Sequence, residues 1–161
     1  MPGSLFIVAA PSGSGKSTLV NALLAKEPGI SLSISYTSRG PRPGEEDGKH
    51  YHFVTREKFE EMAGEGEFFE YAIVHGDLKG TARQSVEPLL ASGQDVLLEI
   101  DYQGAQRVRA QVPSAVSIFI LPPSRLELER RLRTRAKDTE ATILRRLADS
   151  RKEIAHAWEF D

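Results

Sequence analysis

A chain of 161 residues with 21 basic and 23 acidic side chains carries a formal charge of −2, and 40% of its residues are hydrophobic. That length suits one domain, and the balance of apolar to charged residues excludes a disordered chain. The slightly negative charge excludes a nucleic-acid binder that works by bulk positive charge, and the absence of cysteine excludes disulfides, thiol nucleophiles and cysteine-held metals. No apolar stretch approaches the ~20 residues that span a bilayer, and Met1-Pro2-Gly3-Ser4 is no leader peptide. A cytoplasmic protein with no membrane or nucleic-acid partner is therefore expected.

Leu5 to Ala9 is a short apolar strand that runs through Pro11-Ser12-Gly13-Ser14-Gly15 into a helix from Lys16 to Lys26. From Ser31 to Val54 the chain is polar and broken by Gly40, Pro41, Pro43, Gly44 and Gly48. The alternation in Ser31-Leu32-Ser33-Ile34-Ser35 predicts a strand with one wet face. Arg56 to Ala63 reads as a small helix with Phe59 and Met62 on its apolar side, and Glu67 to Val74 as a strand. These segments form an insert between two strand–helix units. The next helix ends at Gly93, while Pro88 leaves its start open, since proline is easy only in a first turn.

Val96 to Ile100 repeats the first script, passing through Asp101-Tyr102-Gln103-Gly104 into a helix to about Gln111. Ser117 to Leu121 is a third apolar run, stopped by Pro122-Pro123. Ser124-Arg125-Leu126-Glu127 is a capping box that opens a helix to about Arg135. Thr139 caps a last helix with Ile143, Leu144, Leu147 and Ile154 on its buried side. Short continuous apolar runs separated by helices predict an α/β fold with a buried parallel sheet.

The most informative segment is Ala10-Pro11-Ser12-Gly13-Ser14-Gly15-Lys16-Ser17-Thr18. It matches G-x-x-x-x-G-K-[ST] except at Ala10, and it sits between strand and helix as that motif requires. Gly13 and Gly15 let backbone N–H groups turn inward around phosphate oxygens, and the helix N-terminus adds its dipole. Lys16 would reach the β- and γ-phosphates, and the Ser17 hydroxyl would ligate a Mg²⁺ ion that keeps most of its waters. Glu99 and Asp101 lie at the end of an apolar strand, where α/β sheets place their ligand crevice, and can meet that ion through water. Asp101 is equally read as the cap of the helix that follows it.

A second substrate must be sought elsewhere. Ser35-Tyr36-Thr37-Ser38-Arg39-Gly40-Pro41-Arg42-Pro43-Gly44-Glu45 carries two arginines on a stiff Gly/Pro loop. Taken singly, these arginines and Glu70 are ordinary solvated residues, and Tyr51 fits a core position as well as a site. Taken together, the phosphate loop, Thr37-Ser-Arg-Gly-Pro-Arg-Pro-Gly-Glu45, Glu99-Ile-Asp-Tyr-Gln-Gly104, Leu121-Pro-Pro-Ser124 and the late arginines resemble guanylate kinase over essentially the whole chain.

The resemblance implies a P-loop three-layer α/β fold: a core of about 1–30 and 82–124, an inserted mixed α/β GMP-binding subdomain of about 31–81, and an arginine-rich helical lid of about 125–150. It also implies transfer of the γ-phosphoryl group of ATP to GMP, with Mg²⁺. Residues 10–18 would hold ATP. Arg39, Arg42 and Tyr51 would hold the GMP phosphate; Ser35, Glu70, Thr81 and Asp101 would surround guanine. The residue types agree, because carboxylates suit the N1–H and N2–H₂ donors and hydroxyls suit O6.

Ten of the 21 basic side chains fall between 125 and 152. Most suit a charged helix face, but Arg131 and Arg135 lie one turn apart, and Arg146 follows on the next helix. By the same resemblance these three close over the triphosphate and act in catalysis beside Lys16 and Arg39. The family usually has tyrosine where this chain has Lys79, and glycine where it has Ala136. It also continues with a final strand and helix beyond Asp161, so an unpaired sheet edge is expected. Two other readings stand beside this one: a kinase for another nucleoside monophosphate, and a related module that binds phosphorylated peptides.

Overall fold

The computed structural model describes residues 1–161 apart from Ser12, His75 and residues 135–138. In chain order its elements are β1 (Leu5–Ala9), α1 (Lys16–Lys26), β2 (Ile30–Leu32), β3 (Tyr36–Thr37) and β4 (His52–Phe53). Next come α2 (Arg56–Gly64), β5 (Phe68–Val74), β6 (Asp77–Ala82), α3 (Glu87–Ala91) and β7 (Asp95–Glu99). The chain closes with α4 (Tyr102–Gln111), β8 (Val116–Phe119), α5 (Arg125–Thr134) and α6 (Glu140–Ala155).

Two sheets share the work. The first is parallel, in the order β2-β7-β1-β8, with Val8 beside Glu99 and Ile30 beside Asp95. Its central strands are apolar on both faces because both faces are covered. Leu5, Ile7, Val96 and Leu98 pack with Ala105 and Val108 of α4, while Val8 and Leu97 pack with Val20 of α1. The second sheet, in the order β4-β3-β6-β5, is mixed and holds the antiparallel β5–β6 hairpin. Phe59 and Met62 of α2 pack against Phe68, Leu78 and Ala82, and the Phe59 and Phe68 rings stack with centroids 4.4 Å apart.

Consecutive residues of a strand point to opposite faces. Phe68 therefore enters the α2 core while Phe69 enters the core of the first sheet. One Phe-Phe pair stitches the two layers together and fixes how the second sheet stands over the first.

Several local expectations are met. Thr139 accepts from the Thr142 N–H at the start of α6, and Pro88 sits in the first turn of α3, with Gly93 at φ 88° behind it. Other details differ. Ile30–Leu32 joins the first sheet, pairing with β7, so the strand expected in Ser31–Ser35 is shorter, starts earlier and is not part of the second sheet. In the capping box the Ser124 hydroxyl accepts from the Glu127 N–H at 3.0 Å, but the Glu127 carboxylate turns to Arg130 and Arg131 instead of back to Ser124. A charge-assisted bond to a guanidinium outbids the backbone N–H. Leu144 is 54% exposed, because the buried stripe of α6 runs through Ile143 and Ser150. β8 is an edge strand with Val116 and Ile118 exposed; its Ser117 N–H donates to the Asp161 carboxylate at 2.9 Å.

Candidate active site

The turn between β1 and α1 is built on glycine. Gly13 and Gly15 sit at φ 82° and 87°, the left-handed region that L side chains avoid. A Cβ on Gly13 would also stand 3.2 Å from Leu132, so α5 rests directly on the loop. The buried Ser14 hydroxyl donates to Pro11 O at 2.6 Å, and Arg131 Nη1 donates to Ser14 O at 3.2 Å. Gly13, Ser14, Gly15, Thr18, Arg130 and Arg131 line a cavity of about 550 Å³ beneath α5. Ala10 and Pro11 lie at the strand exit below it.

A second cleft of about 490 Å³ begins where that loop ends. Lys16 and Ser17 line it together with Glu99, Asp101, Ser35, Tyr51, Glu70 and Lys79. The Ser17 hydroxyl donates to Glu99 Oε1 at 3.1 Å, and Lys16 Nζ lies 3.9 Å from the same oxygen. These oxygen donors suit a hard cation such as Mg²⁺. The described residues hold no group of three His, Asp or Glu side chains that could bind a metal. A magnesium carried in on phosphate and water needs no such group.

Glu70 and Asp101 meet over Gly104. A Cβ on that glycine would stand 3.2 Å from Asp101 Oδ1 and from the Glu70 carboxylate, so a larger residue would press on both acids. Asp101 Oδ1 accepts from the Gly104 N–H at 2.8 Å, capping α4, and Thr81 Oγ1 donates to Glu70 Oε1 at 2.8 Å. Burial pushes the Glu70 carboxyl above its ordinary range; neighbouring Asp101 adds to this and the Thr81 hydroxyl opposes it.

Tyr51, also on the lining of this cleft, stands close to two cations. The Arg39 guanidinium lies 5.3 Å from its ring centroid and Lys79 Nζ lies 5.1 Å from it, with Nζ donating to the Tyr51 hydroxyl at 3.3 Å. Arg39 is itself gripped from behind, its Nη1 and Nη2 donating to the two Glu45 oxygens at 2.8 and 3.0 Å. That fork pulls the Glu45 carboxyl down to about 2, helped by the Arg42 backbone N–H.

With both cavities in place, the chain can be set beside known proteins. The guanylate kinase family model matches residues 3–161. This chain belongs to the guanylate kinase family. It is 63% identical over all 161 residues to a guanylate kinase of Xanthomonas oryzae pv. oryzae and 60% identical to one of Xylella fastidiosa, covering 79% of each. A crystal structure of guanylate kinase from Anaplasma phagocytophilum superposes with a TM-score of 0.75 at 35% identity, over 99% of this chain and 74% of that one. The match extends to the P-loop α/β architecture.

Of the residues expected at the site, Lys16, Ser17, Ser35, Tyr51, Glu70, Glu99 and Asp101 line one cleft. Gly13, Ser14, Gly15, Thr18 and Arg131 line the cavity next to it. Three stand back from the walls: Thr81 is buried behind Glu70, Arg39 lies behind Tyr51, and Arg42 is exposed on its loop. Arg146 is half-buried on α6, and Ser12 and Arg135 fall outside the described residues.

Sequence reasoning missed three groups. Glu45 holds Arg39 across a six-residue Gly/Pro loop, a spacing with no regular periodicity to betray it. Glu127 holds Arg131 with its Oε1 2.9 Å from Nε, and here the i,i+4 spacing was a usable signal. Glu153 of α6 has a carboxyl pushed up by burial, Asp149 and Asp101 and held down by Lys16, so α6 faces the same cluster. Nothing in the sequence marks it.

Proposed function

We propose that the two adjoining cavities hold ATP and GMP end to end for in-line phosphoryl transfer. As a guanylate kinase, this chain phosphorylates GMP at the expense of ATP; the proposal concerns which residues do so. One observation carries it: Lys16, the lysine of the phosphate loop, opens onto the cleft walled by Tyr51, Glu70 and Asp101.

In this reading the backbone of residues 10–18 cradles the donor phosphates, and Lys16 spans toward the γ-phosphoryl group. Glu70 and Asp101 accept from guanine N1–H and N2–H₂, with the Ser35 hydroxyl completing the pattern at the base edge and Thr81 serving the base through the hydrogen bond by which it holds Glu70. Adenine presents a donor where guanine presents O6, and it lacks the N2 donors. It would leave buried carboxylate oxygens unpaired, the kind of mismatch that costs ~10⁴ in specificity. Tyr51 meets the acceptor phosphate, with Arg39 and Arg42 adding charge from behind it and from the loop. Ser17 would hold Mg²⁺ directly and Glu99 and Asp101 through water; when bound, the ion neutralises phosphate charge.

Arg131, already seated on the phosphate loop, and Arg135 and Arg146 supply further positive charge over the triphosphate. An acceptor phosphate is a competent nucleophile, so the mechanism needs orientation, charge neutralisation and water exclusion but no general base. The domain reading follows suit: a core around the first sheet, an acceptor subdomain around the second, and a lid made of α5 and α6.

Steady-state phosphoryl transfer across GMP, dGMP, AMP, CMP and UMP tests the assignment. GMP and dGMP should be the efficient acceptors; AMP accepted as well as GMP would overturn the assignment of Glu70 and Asp101 to guanine.

A further inference from the structure

β5 is an edge strand of the second sheet, so alternate carbonyls along it face away from β6 and need partners outside the sheet. Two of them are met by α4, a helix of the other layer. Arg107 Nη1 donates to Tyr71 O at 2.5 Å, and Gln111 Nε2 donates to Phe69 O at 2.5 Å. These carbonyls belong to the residues on either side of Glu70.

The two donors are four residues apart on α4 and so share one face. Gly104 lies on that face too, where a Cβ would stand 3.2 Å from the Glu70 carboxylate. Asp101 caps the same helix through the Gly104 N–H. α4 therefore holds one acid at its N-terminus and, along its side, the backbone that flanks the other. The Gln111 amide has a fixed orientation: its Oε1 accepts from Arg83 Nη2, which leaves Nε2 for Phe69. The Arg83 guanidinium in turn lies 4.4 Å from the Phe69 ring centroid. The positive charge of Arg107 also favours the ionised form of Glu70 against the opposing effect of burial.

We infer that Arg107 and Gln111 are positioning residues for guanine specificity, setting the spacing of the Glu70 and Asp101 carboxylates by docking β5 onto α4. The inference rests on the reading of those two acids as the guanine contacts. Neither Arg107 nor Gln111 lines the cleft, so each acts only through the backbone it holds. A base that engages both acids at once, through N1–H and N2–H₂, depends on their spacing. A base without the 2-amino group engages one acid and does not.

Steady-state kinetics of the parent chain, Arg107→Met, Gln111→Met and the double variant, with GMP and with inosine monophosphate as acceptors, tests this. The second acceptor lacks the 2-amino group. In the double variant the ratio of kcat/KM for GMP to that for inosine monophosphate should fall roughly tenfold, a fraction of what a 1 Å misplacement can cost. The loss should appear in the KM for GMP, while the KM for ATP and for inosine monophosphate stay within about twofold of the parent. Both side chains are exposed and methionine is a good helix former, so the melting temperature should stay within a few degrees. Arg107→Lys, which keeps a donor and the charge, should hold the preference within about threefold.

Equal losses for the two acceptors would mark a merely structural role and overturn the inference, as would a preference in the double variant within about twofold of the parent's. A parent chain with no preference for GMP would strike the functional reading and this inference with it. A parent preference that survives intact in the variants strikes this inference alone.

Discussion

Lys16 illustrates how a single side chain links two cavities. It follows Gly15, whose left-handed backbone starts α1, and its ammonium reaches Glu99 at the end of β7. Lys16→Ala should leave GMP affinity nearly untouched while lowering kcat by on the order of 10²-fold, since one preorganised transition-state donor is worth about that much. Arg39→Ala should show the converse pattern in steady-state kinetics, raising the KM for GMP and leaving that for ATP nearly alone. An equal loss of both would contradict its placement at the acceptor.

Glu70 adds a pH signature. Its ionised form is the one that accepts from guanine, and its pKa is raised by burial. GMP binding should therefore weaken as pH falls through that raised value, sooner than for a carboxylate with the ordinary pKa of 4.5. In the free protein the sign for stability is opposite. The folded state takes up the Glu70 proton more readily than the unfolded chain, so this residue's contribution declines as pH rises through the window above 4.5. Glu70→Gln should abolish the binding trend, measured as the GMP dissociation constant against pH.

At the scale of elements, the cleft depends on packing some distance from it. α2 makes no wall of the cleft, yet its Phe59, at 0% exposure, stacks on Phe68 and supports the β5–β6 hairpin that carries Glu70, Lys79 and Thr81. Phe59→Ala should cost about 3–5 kcal/mol of stability by urea denaturation. It should also weaken GMP binding more than ATP binding, since the donor loop lies on the first sheet. α5 works similarly for the donor: Leu128 and Leu132 press on Gly13 while Glu127 holds Arg131 over Ser14. The lower half of an arginine-rich helix is thereby fixed against the loop.

For the whole molecule, the acceptor cleft draws on both sheets: Glu99 from the first with Asp101 just beyond it, and Glu70 and Lys79 from the second with Tyr51 just before β4. A ligand held between them binds only the assembled form and must stabilise it by mass action. GMP at a hundred times its dissociation constant should add about 2.7 kcal/mol, visible as a rise in melting temperature that guanosine at equal concentration reproduces only in part. No helix among the described residues is long and apolar enough to cross a membrane, in keeping with the apolar runs being strands of a covered sheet.

The phosphate loop, the strand–helix alternation and the capping residues Thr139 and Asp101 were all legible from sequence, because each depends on neighbours within a few positions: glycine's access to positive φ, a hydroxyl or carboxylate three residues before an N–H, apolar runs without interruption. Register and charge pairing were not. Ile30–Leu32 joined the first sheet because β7 offered it a parallel edge, and Leu144 faced solvent because α6 turned its Ile143 stripe inward. That Arg39 is matched by a carboxylate emerged only when the Gly/Pro loop folded Glu45 back onto its arginine. Local backbone preference is written residue by residue. The balance of charge in a cleft is settled by which distant segments meet there, and that belongs to the tertiary fold.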